Sequence, residues 1–126
     1  MKNLLLLVLL AALPLAAQNK TILHEFDTLT STGETEEISV MAGRSTATYH
    51  TISVRQVAST CTFTVEGTID PIDNNADEYW ADLSGTQSCT SDTMIHIINR
   101  PVKAIRVSVK TFAGTSVTFS YLGVAE

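Results

Sequence analysis

The chain has 126 residues, enough for one domain with a modest core, and carries 8 basic against 13 acidic side chains, a formal net charge of −5. That balance argues against nucleic acid or an anionic membrane surface as partner, since both would repel an acidic protein. Two cysteines without a matching histidine pair are a poor basis for a zinc site.

Met1, Lys2 and Asn3 precede an apolar run from Leu4 to Leu13, and Pro14, Leu15, Ala16 and Ala17 lead into polar Gln18. A charged start, a short apolar stretch and small residues before a polar one form the pattern of a secretory signal peptide, expected over residues 1–17. The run falls short of the ~20 residues a spanning helix needs. Cleavage after Ala17 would leave a single domain over residues 18–126, with seven basic and 13 acidic side chains and no membrane attachment. The expected location is secreted, extracellular or periplasmic. In such an oxidising compartment Cys61 and Cys89 are expected to pair, closing a loop of 29 residues, counting both ends.

From Gln18 onward no segment has a useful helical period. Short runs of period two, rich in Thr, Val, Ile and aromatics, recur between turn residues instead. In chain order they predict strands at Ile22–Leu29, Glu37–Met41, Thr48–Val57, Cys61–Ile69, Tyr79–Leu83, Met94–Ile98, Val102–Phe112 and Ser116–Val124. In the first, Ile22, His24 and Phe26 share the more apolar face and Leu23, Glu25 and Asp27 the other. In the fourth, Cys61, Phe63, Val65, Gly67 and Ile69 should face the core, and Thr60, Thr62, Thr64, Glu66 and Thr68 should face water. Ala113 and Gly114 read as a tight hairpin joint between the last two strands. About eight short strands with one wet face each predict an all-β fold: two packed antiparallel sheets, a jelly-roll or Greek-key β-sandwich with one disulfide. A closed barrel is the alternative.

The stretch Thr64-Val65-Glu66-Gly67-Thr68-Ile69-Asp70, then Trp80 and Leu83, then Arg100-Pro101-Val102-Lys103-Ala104-Ile105-Arg106-Val107-Ser108-Val109, resembles discoidin-like and jelly-roll sandwich modules. Such modules occur in secreted adhesion and carbohydrate-binding proteins and in phage virion and decoration proteins. The resemblance spans about residues 61–124. It departs from the pattern at the insertion Pro71–Tyr79 and at the cysteine pair. It implies architecture and a non-catalytic role, and it carries no binding site.

Three candidate sites follow from the residues themselves. Asp70, Asp73, Asn75 and Asp77 crowd one polar loop that ends at Glu78. Oxygen ligands of this kind suit calcium, while a solvated turn is the alternative. Tyr79 and Trp80 are adjacent, so on a strand one should be core and the other exposed, where it could stack on a sugar ring. Ile22, His24 and Phe26 lie on a terminal strand that could dock in its own sheet or complete a neighbouring copy. His24, His50 and His96 fall on separate strands, and no G-x-S-x-G elbow or phosphate-cradling glycine loop occurs. The chain is therefore read as a secreted non-catalytic structural module, assembling with copies of itself or decorating an extracellular or virion surface. A glycan- or ligand-binding module is the alternative.

Overall fold

The computed structural model describes residues 20–42, 45–69 and 79–125. The expected leader and the acidic loop Asp70–Glu78, with the calcium candidates Asp70, Asp73, Asn75 and Asp77, lie outside the described residues.

The described residues are all β, with no helix. Nine strands occur: β1 (Lys20–Glu25), β2 (Gly33–Glu34), β3 (Ile38–Ser39), β4 (Met41–Ala42), β5 (Ser45–Thr68), β6 (Ala81–Asp82), β7 (Gln87–Ser88), β8 (Thr93–Ile98) and β9 (Ala104–Ala125). All pairings are antiparallel. The frame is the pair β5 and β9, which run antiparallel from Ala47↔Ala125 to Thr68↔Ala104. Neither contains proline, and both are rich in Thr, Val and aromatics, so the ladder runs long, with register shifts between Ala47 and Tyr49 and between Thr62 and Phe63.

A straight 24-residue strand would be ~80 Å long. The ribbon instead folds over on itself. Phe63 pairs across the ladder with Val109, and Phe119 with Val54, about 30 Å apart along a flat ribbon. Yet the rings of Phe63 and Phe119 meet edge to face with centroids 5.0 Å apart. Two layers result. The first sheet runs β8, the N-terminal half of β5, the C-terminal half of β9, then β1. The second has the C-terminal half of β5 and the N-terminal half of β9 at its centre, flanked by β6 and β7 on one side and β2 and β3 on the other. Between the layers lie Phe26, Ile52, Val54, Phe63, Val65, Val107, Val117, Phe119 and Tyr121, all buried.

The fold-over overturns one expectation. Ala113 and Gly114 do not form a hairpin: they sit inside β9, opposite Thr60 and Ser59. Ala58 has φ 44° and Gly114 φ 128°, so both long strands turn a corner together rather than reversing. A Cβ on Gly114 would run into the Ala58 carbonyl oxygen and the Ser59 backbone, so the corner demands glycine. Ser59 stitches it: its Oγ accepts from the Thr115 and Ser116 N–H groups at 2.9 Å each and donates to the Val57 carbonyl at 2.7 Å. The predicted strands Thr48–Val57 and Cys61–Ile69 are accordingly one strand, as are Val102–Phe112 and Ser116–Val124.

Smaller corrections follow the same logic. Strand Tyr79–Leu83 shrinks to β6, and Glu37–Met41 splits into β3 and β4. Leu29 makes an isolated bridge with Val117 beyond the end of β1. Thr64 and Thr68 are buried instead of water-facing, and Ile69, past the end of the ladder, is exposed. The disulfide Cys61–Cys89 is formed, with Cα atoms 5.1 Å apart, and it ties the segment after β7 to β5.

Candidate interaction face

A two-layer fold has two outer faces, and here they differ in chemistry. On the outer face of the second sheet, Glu66 stands directly opposite Arg106. Arg106 Nε donates to Glu66 Oε2 at 2.9 Å, Lys110 Nζ to Glu66 Oε1 at 3.0 Å, and Arg106 Nη1 lies 3.2 Å from Glu34 Oε2. Burial alone would raise the Glu66 carboxyl, but the hydrogen bonds and charges of Lys110 and Arg106 outweigh it and hold the group below its ordinary range. Thr62 and Thr111 share a hydroxyl–hydroxyl bond of 2.7 Å beside this cluster. This face is polar, and the charges of Glu34, Glu66, Arg106 and Lys110 are paired within the chain.

Tyr79 and Trp80 lie just before β6 rather than on a strand, and Trp80 is half-buried rather than core. The Arg106 guanidinium lies 4.3 Å from the centre of the Trp80 ring, so that aromatic face is engaged by a cation of its own chain. Tyr79 is 74% exposed.

The outer face of the first sheet has the opposite character. Pairing across β1, β9, β5 and β8 sets side chains in rows. One row holds Thr21, Val124, Tyr49 and Ile98, the next Leu23, Leu122, Thr51 and His96, and the third Glu25, Ser120, Ser53 and Met94. The alternate rows point inward: Ile22, Gly123, His50 and Ile97 form one, and His24, Tyr121, Ile52 and Ile95 another. Leu23, Tyr49, Met94, Ile98 and Leu122 on the outer rows are all exposed, Leu23 by 72% and Ile98 by 59%. Among the described residues no strand pairs with the outer edge of β1 or of β8.

Of the terminal-strand candidates, Phe26 is buried in the core of its own chain and Ile22 packs against that core. His24 Nε2 lies 2.8 Å from Glu36 Oε1, and its ring meets Phe26 edge-on. The inward positions of this strand thus follow period two. The outward set was missed, although its signal is present. Leu23 in β1, Leu122 and Val124 in β9, and Met94 and Ile98 in β8 make these strands apolar on both faces, where a half-wet sheet should alternate.

His50 is buried between the layers. Its Nε2 donates to the Arg100 carbonyl at 2.8 Å, which leaves Nδ1 of the neutral ring to accept the Tyr121 O–H at 2.7 Å. Burial lowers the His50 pKa and raises that of Tyr121 well above the ordinary phenol range. Both ring nitrogens are thus occupied within the fold. Among the described residues no group of three or more His, Cys, Asp or Glu is placed to hold a metal ion.

No protein-family model matches this chain, and no curated protein matches it in sequence. In structure it is similar to the SPBc2 prophage-derived protein YomS, with a TM-score of 0.65 and 13% identity over 87% of this chain and 97% of that one. A Tobacco streak virus coat protein aligns over 91% of this chain and 90% of its own, with 11% identity and a TM-score of 0.32. At 13% identity the first match shows a shared fold alone, and it does not confirm the discoidin-like side of the resemblance. The second is too low to support an argument.

Proposed function

We propose that this chain is an exported, non-catalytic structural or interaction module, which works by assembling with copies of itself or by seating on a larger surface such as a virion. The observation that carries this reading is the apolar outer face of the first sheet. A solvated sheet face would hold polar residues, as the second sheet does. Here five large apolar side chains stand exposed on four adjacent strands. Exposed apolar side chains grouped on one face mark an interaction surface. The fold shared with a prophage-derived protein is compatible with a virion setting. Native mass spectrometry and electron microscopy of the protein recovered from an exporting host test the reading. Defined oligomers, arrays or attachment to a particle are expected. A protein that stays monomeric at high concentration and binds no such surface would overturn it.

A second reading has one observation behind it: Tyr79 is exposed next to the acidic stretch, as a sugar-stacking aromatic would be. Glycan-array binding that disappears with a calcium chelator would favour it over assembly.

A further inference from the structure

We infer that the outer face of the first sheet seats a second copy of this chain, the two sheets packing face to face about a two-fold axis. The inference rests on the assembly reading above and names its geometry.

Chemical matching within the molecule selects this partner. An apolar face needs an apolar counterpart. The opposite outer face of the same molecule cannot serve, because Glu66, Arg106, Lys110 and Glu34 occupy it in paired form. Head-to-tail stacking would thus bury an ion-pair cluster against Leu and Ile, at a desolvation cost. Of the two outer faces among the described residues, the one that matches this face in kind is the same face on another copy. A contact of a surface with itself is isologous and closes as a dimer.

Charge points the same way. The row Thr21, Val124, Tyr49, Ile98 and the row Leu23, Leu122, Thr51, His96 contain no Asp, Glu, Lys or Arg, in a chain whose formal net charge is −5. Glu25 stands at a corner, and Arg55 and Asp92 lie beyond the third row. A centre depleted of charge with charges at its margin is part of the anatomy of a protein interface. At the middle of the patch stand Thr51, Ser53 and Ser120, which are small enough to let a second sheet approach to the ~10 Å of sheet-on-sheet packing.

Size sets the strength. Four strands ~4.8 Å apart by five residues at ~3.3 Å give a footprint of about 320 Å² in projection, with side-chain relief adding to it. A standard interface buries ~800 Å² per partner. The pair should therefore be a concentration-dependent dimer rather than an obligate one.

The test is sedimentation velocity on the protein recovered from an exporting host, its N-terminus fixed by intact mass, from micromolar to several hundred micromolar. A monomer–dimer equilibrium is expected that strengthens with salt, as screening relieves repulsion between two acidic chains. Leu122→Lys should weaken it at least tenfold. Ile98→Lys, on an edge strand and largely exposed, should do the same and serves if Leu122→Lys fails to fold by circular dichroism. Thr60→Lys, on the second sheet, should leave it unchanged. Oligomers that persist in both face variants, or that salt dissolves, would overturn the face-to-face pair and leave the assembly reading standing. A strictly monomeric protein would overturn both. Binding to phosphatidylcholine vesicles that Leu122→Lys abolishes would assign the face to lipid and overturn the dimer.

Discussion

The Tyr121 hydroxyl reaches Nδ1 of His50 at 2.7 Å by lying across Gly123, the residue that pairs directly with His50. A Cβ at position 123 would collide with that hydroxyl and with the ring that carries it. Three residues on two strands thus form one device. Glycine clears a lane along β9, the tyrosine lies down in it, and the histidine opposite closes the bond. The other histidine nitrogen holds the Arg100 carbonyl, so the segment before β9 is tied to β5 through the same ring.

Tyr121→Phe removes the donor and leaves a buried acceptor with no partner. The expected loss is about 1–3 kcal/mol, read from urea unfolding. Gly123→Ala should cost a similar amount through overpacking. Because the added methyl strikes the hydroxyl that Tyr121→Phe deletes, the two losses should not add. A double-mutant cycle that comes out additive would disprove the device.

The pH dependence follows from His50. Burial sets its folded pKa below its ordinary 6.5, so the unfolded chain binds the proton more readily. Stability from this group is complete above pH ~6.5 and declines as pH falls through that value toward the lowered folded pKa. Glu66, also lowered in the fold, adds a second loss below its ordinary 4.5. Urea midpoints measured from pH 8 to 5 should fall on the acid side, and the first segment of that fall should vanish in His50→Gln. A midpoint flat from pH 7 to 5 in the parent protein would contradict this account.

Much of the fold was legible because period two is a direct reading of a strand. The inward positions of Phe26, Phe63, Val65, Val107, Val117 and Phe119 follow from it. What was not legible was the corner. Ala113-Gly114 looks like a hairpin turn in sequence, and only the long-range pairing of Ser59 with Gly114 makes it a bend shared by two strands. The same distance effect hid the polar cluster. Glu66 and Arg106 are 40 residues apart, and their opposition depends on a register that local pattern does not give. The apolar outer face could have been read, since Met94-Ile95-His96-Ile97-Ile98 lacks the alternation of a half-wet strand. Its reach across four strands could not.

The corner itself makes a prediction. Ser59→Ala would free the Thr115 and Ser116 N–H groups and the Val57 carbonyl at once. Loss of about 1–3 kcal/mol is expected, together with faster amide exchange at 115 and 116 than elsewhere in β9. Uniform exchange along β9 in the variant would mean that the hydroxyl does not hold the bend.

Removing the disulfide should act mainly on the unfolded chain. Closing a 29-residue loop is worth ~3–4 kcal/mol by chain entropy. Cys61→Ala with Cys89→Ala should lower the melting temperature by about 10–30 °C while far-ultraviolet circular dichroism stays that of a β protein. The Cys89 N–H to Cys61 carbonyl bond, at 3.0 Å, remains to hold the crossing in the folded state. Loss of all β signal in the double variant would show that the bond is required for folding rather than for margin.

Trp80 is the sole tryptophan, so its fluorescence reports on surroundings that include the Arg106 guanidinium over its ring. Arg106 holds that position because Glu66 and Glu34 grip it from two sides. Arg106→Lys keeps a positive charge within reach of the carboxylates but loses the planar group that covers the indole and bonds both acids. The folded variant should show a red-shifted Trp80 emission as water gains the ring, and a stability loss of about 1 kcal/mol from the lost cation–π contact. Glu66→Gln should shift the emission in the same direction but less, since Glu34 still holds one side of the guanidinium. An unchanged spectrum in both variants would show that Trp80 is covered by something other than Arg106.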